Sequence, residues 1–150
     1  MHLTDGLPCF LSDSFRDAYP HAQFPELEAK RNRPHVLYLV ELDEGQWFAI
    51  PLRSHIRHSF RFKTSSEGGL DYTKAIPILD PSYIDTDRQA YVRRDEWPIL
   101  KSNRAAIKRG MQRYVERYRA AKKNPTRPGN ALLIRYSTLQ YFESELGLND

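Results

Sequence analysis

The chain has 150 residues, 40% of them hydrophobic and 28% charged, with a net charge of +4 and one cysteine. That length favours one domain over residues 1–150, large enough to bury about 70% of its unfolded surface. Cys9 alone excludes an internal disulfide framework, and no apolar run approaches the ~20 residues of a membrane span. Met1-His2-Leu3-Thr4-Asp5-Gly6 lacks the basic region and apolar stretch of a secretory signal. The expectation is therefore a cytoplasmic protein with no membrane contact. The pI near 9.2 suits an anionic partner, but the excess is modest, so its distribution matters more than its sum.

Cys9-Phe10-Leu11 reads as a first strand, and residues 13–19 as a helical turn with Phe15 and Tyr19 on one side. Residues 35–42 and 46–52 are rich in strand formers. Asp43-Glu44-Gly45 between them is a hairpin connection with glycine at a positive φ. Their nearly continuous apolar character predicts a sheet covered on both faces, and Pro51 is expected at a strand end. Residues 53–69 read as a basic stretch and then a loop. Residues 75–79 read as a strand in which Pro77 favours an edge or a bulge, closed by Asp80-Pro81-Ser82.

Residues 95–123 read as one long helix, capped by Asp95, with Pro98 in its first turn. Ile99, Asn103, Ile107, Met111, Tyr114 and Tyr118 form its buried stripe. Asn124-Pro125 ends it, 126–130 is a loop, 131–134 a short strand, and Ser137 caps a last helix carrying Leu139, Phe142 and Leu146. The predicted class is α+β with a mainly antiparallel sheet, packed with a long basic helix and a C-terminal helix.

Three features carry candidate chemistry. The first is Arg53-Ser54-His55-Ile56-Arg57-His58, followed by Arg61, Lys63 and Thr64. Cleaving RNA without metal needs a base for the 2′-OH, an acid for the departing 5′-oxygen and cations for the phosphorane. Histidine suits the first two roles, and arginine or lysine the third. Ser54 can bind a phosphate oxygen or position the 2′-OH. Spacing alone leaves a catalytic site and a solvated basic loop both open, the loop being the commoner outcome. His55 and His58 are also spaced as a zinc pair, but zinc needs about four ligands. Cys9, His21 and His35 stand in no recognised spacing to complete them, so neither a metal nor another cofactor is expected.

The second feature is the long helix. Between residues 98 and 123 it carries Lys101, Arg104, Lys108, Arg109, Arg113, Arg117, Arg119, Lys122 and Lys123 against Glu116 alone, a surplus of eight. Such a face can neutralise phosphates with a steep salt dependence; a solvated basic face is the plain alternative. The third is Arg31-Asn32-Arg33-Pro34-His35, which the hairpin folds back toward the level of residue 52. No glycine-rich phosphate loop, His-Glu-x-x-His, Cys-x-x-Cys or Gly-x-Ser-x-Gly is present.

Arg33-Pro34-His35-Val36, the run from Phe48 through Pro51-Leu52-Arg53-Ser54 to Ile56, Gly69-Leu70-Asp71-Tyr72-Thr73-Lys74-Ala75, and Tyr136-Ser137-Thr138-Leu139-Gln140-Tyr141-Phe142 together resemble type III toxin–antitoxin toxins. The resemblance covers residues 9–146 and is strongest to the TenpN branch, related to ToxN, CptN and AbiQ. It implies a strongly curved antiparallel sheet like that of the MazF and Kid toxins. It implies sequence-selective RNA cleavage leaving a 2′,3′-cyclic phosphate and a 5′-hydroxyl. The substrates would be cellular or phage mRNA. The inhibitor would be a repeated pseudoknot RNA that the toxin processes and that holds it in an RNA–protein hetero-oligomer, in phage defence or plasmid maintenance. Ser54 matches the serine of the family's Pro-Leu-x-Ser element. ToxN-like members carry threonine where this chain has Arg53 and lysine where it has Ile56, which leaves the cationic role to Arg53, Arg57 or His58. His35 falls where such members can carry lysine. Lys63 follows Phe62 in a Phe-Lys element, and Lys74 lies in the third matching run, so both join the RNA-contacting candidates.

Two other readings account for part of the sequence. A basic RNA- or DNA-binding module without catalysis explains the helix charge and leaves the Ser/His/Arg cluster accidental. An interaction protein would dock the basic helix on an acidic protein.

Overall fold

In the computed structural model, which describes residues 3–27 and 35–149, strand β1 (Leu7–Leu11) leads into helix α1 (Asp13–Ala18). The Ser12 side chain caps α1 by accepting from the Phe15 N–H. Phe15 and Tyr19 stack with ring centroids 4.9 Å apart, as their spacing predicts. The chain then forms β2 (Leu37–Leu42) and β3 (Gln46–Arg53), joined by a single 3-10 turn, Asp43–Gly45. Gly45 takes φ +73 there, a conformation that costs glycine least.

Further short strands follow: β4 (Arg61–Lys63), β5 (Gly69–Asp71), β6 (Ile76–Pro77) and β7 (Ile84–Asp85). The sheet order is β4-β5-β3-β2-β1-β7, with β6 also on β3, and every pairing is antiparallel. The class is α+β, as the sequence predicts.

Period-two alternation gives β2 and β3 two apolar faces. Tyr38, Val40, Phe48 and Ile50 join one core with Ile107, Met111, Tyr114 and Tyr118. Leu37, Leu39 and Ala49 join the other with Cys9, Leu11, Phe15 and Phe142. Each fully buried large apolar side chain stabilises the fold by about 1.5–3 kcal/mol, so the central hairpin serves two cores at once.

Several sequence expectations are corrected. Pro51 lies inside β3, paired with Leu37. Odd-numbered residues of β3 turn their backbone groups away from β2, toward β6 at 48–49 and β5 at 52–53. The missing N–H of Pro51 falls in the gap between those two partners, where no ladder bond is lost. Residues 61–71 form a hairpin that the sequence shows only as a loop, because three-residue strands are too short for a period to register.

The long helix is two: α2 (Trp97–Ser102) and α3 (Arg104–Lys123). Asn103 breaks it, its side-chain amide donating to the Ile99 carbonyl at 2.7 Å. That local bond competes with helical continuation. Leu100 carries the burial in α2, while Ile99 and Asn103 are half-buried. The cap position belongs to Glu96, whose side chain makes no capping bond.

Residues 131–134 lie in helix α4 (Pro128–Tyr136), not a strand. Pro128 starts it at a position where a missing N–H costs nothing. Leu133 is buried, and Leu132 is 56% exposed. The final segment is one 3-10 turn, Thr138–Tyr141, rather than a full helix. Ser137 caps it as expected, accepting from the Leu139 N–H. Thr138 is held by donating to the Ala75 carbonyl, and Gln140 donates back to the Arg135 and Ser137 carbonyls. Those side-chain bonds tie this segment to its neighbours without i→i−4 continuation. No described helix is long and apolar enough to cross a membrane.

Candidate active site

The antiparallel register that sets Leu37 opposite Pro51 carries His35 to the level of Arg53. The open end of the β2–β3 hairpin therefore places His35 beside Arg53, Ser54 and His55 at one cleft of about 750 Å³. The facing walls come from Ser65, Ser66 and Glu67 in the β4–β5 turn and from Tyr91, Arg93 and Glu96 ahead of α2. The Ile56 N–H fixes the turn just past the end of β3 by donating to the Glu67 carbonyl at 2.8 Å, and the Thr64 N–H closes the turn on itself by donating to the Gly68 carbonyl. The Arg61 guanidinium also donates to the Gly68 carbonyl.

Gly68 is obligatory there. A Cβ on it would meet the Arg53 carbonyl oxygen and the Ser54 Cα well inside van der Waals contact. Gly68→Ala should destabilise the fold by about 1–3 kcal/mol, the range for overpacking, and shift Glu67 relative to His55. Denaturant melts of the two proteins check this; identical midpoints would show that the turn yields without cost.

Two hydrogen-bonded chains organise the site. In the first, His55 Nδ1 lies 3.1 Å from Ser54 Oγ and His55 Nε2 lies 3.4 Å from Glu67 Oε2. The carboxylate assigns the ring proton to Nε2, leaving Nδ1 to accept from the Ser54 hydroxyl. A serine hydroxyl, an imidazole acceptor and an orienting carboxylate thus stand in sequence at the cleft mouth, with the His55 side chain 74% exposed.

The second chain lies beneath. Asp71, fully buried, accepts from the Arg53 guanidinium at 2.8 Å, from Thr73 Oγ1 at 2.6 Å and from the Thr73 N–H at 3.0 Å. His58 Nε2 is 3.1 Å from the same carboxylate, and His58 Nδ1 accepts the Phe60 N–H at 3.0 Å. Both ring nitrogens of His58 are therefore engaged inside the protein. Burial pushes the Asp71 carboxyl up, but hydrogen bonds from His58, Thr73 and Arg53 outweigh it and hold the group below its ordinary range. The arrangement anchors Arg53 at the cleft wall.

The structure separates the other sequence candidates. Arg57 is exposed and lines no part of the cleft. Lys63 is exposed on edge strand β4. Thr64 is buried, its hydroxyl donating to Glu96. Lys74 donates to Glu26 Oε1 at 2.6 Å and to the Tyr136 carbonyl at 2.8 Å, which ties loop to C-terminal segment rather than facing solvent. Arg31 and Arg33 lie outside the described residues.

The surplus on the helix is partly spent inside the protein. Asp5 pairs with Lys108 and, at 4.0 Å, with Arg104. Glu143 pairs with Lys122, Glu116 with Arg119, and Arg117 donates to Asn130. Lys101, Arg109 and Arg113 are exposed and make no salt bridge among the described residues. Arg109 sits with Asp43 at the closed end of the hairpin. Leu42 beside it is seven residues along the chain from His35 at the cleft, about 23 Å at the rise of a strand.

Asp71, Glu67, Tyr91, Arg93 and Glu96 were not singled out by the sequence reading. The only local signal was the Gly68-Gly69 pair, which marks close backbone approach, and the Asp71-x-Thr73 spacing of a side-chain-capped turn. Among the described residues no three His, Cys, Asp or Glu side chains gather as a metal ion would require. Comparisons with protein-family models, curated proteins and solved structures returned no match.

Proposed function

We propose that this protein is an endoribonuclease that cleaves RNA by transesterification without a metal ion. The observation that carries the reading is the Ser54–His55–Glu67 chain in a cleft walled by Arg53. The substrate 2′-OH gives its proton to Ser54 Oγ as the serine proton passes to His55 Nδ1, and Glu67 stabilises the imidazolium from Nε2. The 2′-oxygen bonds to phosphorus, the P–O5′ bond breaks, and the products are a 2′,3′-cyclic phosphate and a 5′-hydroxyl. Arg53, fixed by Asp71, stabilises charge on the phosphorane. His35, the other imidazole in the cleft, supplies the proton to the leaving 5′-oxygen.

The resemblance to type III toxins extends this reading. On it the sheet has the curvature of the MazF and Kid toxins, and the protein acts in the cytoplasm on cellular or phage mRNA. It processes and is inhibited by a repeated pseudoknot RNA in an RNA–protein oligomer, serving phage defence or plasmid maintenance. Lys101, Arg109 and Arg113 are the helix cations whose exposure suits phosphate contact.

The test is incubation of purified protein with a mixed-sequence RNA in excess EDTA. Cleavage to ends bearing a cyclic phosphate is the expected result. RNA that is bound yet intact would instead favour the non-catalytic binding module.

A further inference from the structure

Part of the lining of the cleft that holds Ser54 is not used by the transesterification chemistry. Tyr91 is 75% exposed, more than any other large hydrophobic side chain described; the next is 56%. Its neighbours are anchored: Ala90 is buried, and Val92 packs against the main core. The backbone is therefore held on both sides of a ring left open to solvent at the cleft. Glu96 stands on the same wall with its side chain 14% exposed. Buried Thr64 donates its hydroxyl to Glu96 Oε2, and Arg93 Nε lies 4.0 Å from Oε1.

A flat aromatic face beside a fixed carboxylate matches one kind of ligand. Unstacked nucleobases pack on aromatic rings and are read along their edges by hydrogen bonds. A carboxylate is acceptor-only, so it selects for donors. Adenine, cytosine and guanine each present an exocyclic amino group. Uracil presents only N3–H, set between two carbonyl oxygens that a carboxylate repels.

We infer that Tyr91 and Glu96 form a base-recognition subsite that stacks one unpaired nucleobase and selects an amino-bearing base over uracil. Arg93, on the same wall, is placed to meet an adjoining phosphate. The inference takes its ligand class, single-stranded RNA, from the nuclease reading, and assigns the specificity of that site.

Short 2′-O-methyl oligonucleotides test it, because they lack the attacking hydroxyl and bind without being cut. Fluorescence anisotropy on labelled oligo-A, oligo-C, oligo-G and oligo-U gives the affinities. Native protein should bind the first three more tightly than oligo-U. Tyr91→Ala should weaken binding to them by about 10- to 100-fold, the loss of one stacked base, while Tyr91→Trp retains it. Glu96→Gln keeps a group that accepts from Thr64 but puts a donor where the base amino group donates, so binding to oligo-A, oligo-C and oligo-G should fall to the level of oligo-U and the discrimination vanish. Unchanged binding by Tyr91→Ala, or unchanged base preference in Glu96→Gln, overturns the inference. Because no cleavage is read, a protein that binds in this way but leaves ordinary RNA intact would sink the nuclease reading and spare the subsite. A protein that cuts RNA with neither variant altering base preference would do the reverse.

Discussion

Replacing His55 with alanine should lower the rate of RNA cleavage by roughly 10²- to 10⁴-fold, the range for losing a positioned general base. Ser54→Ala should fall as far, because the serine hydroxyl 3.1 Å from Nδ1 stands between substrate and base. Residues acting as one unit are strongly non-additive, so the double variant should be about as slow as either single one. Glu67→Gln should cost less, since the carboxylate is 69% exposed and orients the ring without touching the reacting atoms. His58 provides the contrast. Its nitrogens bond to the Phe60 N–H and to Asp71, so it holds Arg53 indirectly and is a positioning residue. His58→Gln, able to donate to Asp71, should retain most of the activity. The decisive measurement is single-turnover cleavage across this set, with circular dichroism to show folding. If His58→Gln is as inactive as His55→Ala while folded, the assignment of roles is reversed.

Asp71→Asn should be the most destabilising single change at the site. Removing one partner of a buried ion pair costs about 3–5 kcal/mol because the remaining charge is stranded. Arg53 and His58 keep 29% and 35% side-chain exposure, so solvent screening puts the loss toward the lower end. For a chain of this size each kcal/mol lowers Tm by about 2–4 °C, so a drop on the order of 10 °C is expected. The pH dependence follows from the direction of the Asp71 shift. The fold holds this carboxyl below its ordinary 3.8, so it favours the ionised form. That contribution is complete above the unfolded value and is lost as pH falls through the depressed one. The gap in denaturant midpoint between native protein and Asp71→Asn should therefore be narrower at pH 3 than at pH 6. A gap that stays constant would mean that the loss comes from packing rather than charge.

The hairpin was legible because its signals are local. Two runs of strand formers around Asp43-Glu44-Gly45 specify pairing and register together, and the register is what brings His35 level with Arg53. The stripe of Ile107, Met111, Tyr114 and Tyr118 was legible for the same reason: a period of 3.6 repeats along one helix. Residues 131–134 misled because four apolar residues carry no period; in the fold only Leu133 of the leucine pair is buried, with Leu132 left outside. The β4–β5 hairpin stayed hidden behind its basic residues, since three-residue strands are stabilised by their neighbours and not by their own pattern.

The sequence by itself determined an α+β class, a central hairpin with two apolar faces, and a serine–histidine–arginine cluster at one strand end. Tertiary structure alone decided how that cluster divides. Ser54 and His55 adjoin Glu67, twelve or more residues away, while His58 is turned inward onto Asp71. It also decided that much of the helix charge is answered by Asp5 and Glu143, at opposite ends of the chain. The reason is physical: periodicity and turn chemistry act between residues a few positions apart, whereas the partner of a charge is set by where the folded chain returns, and no local pattern encodes that.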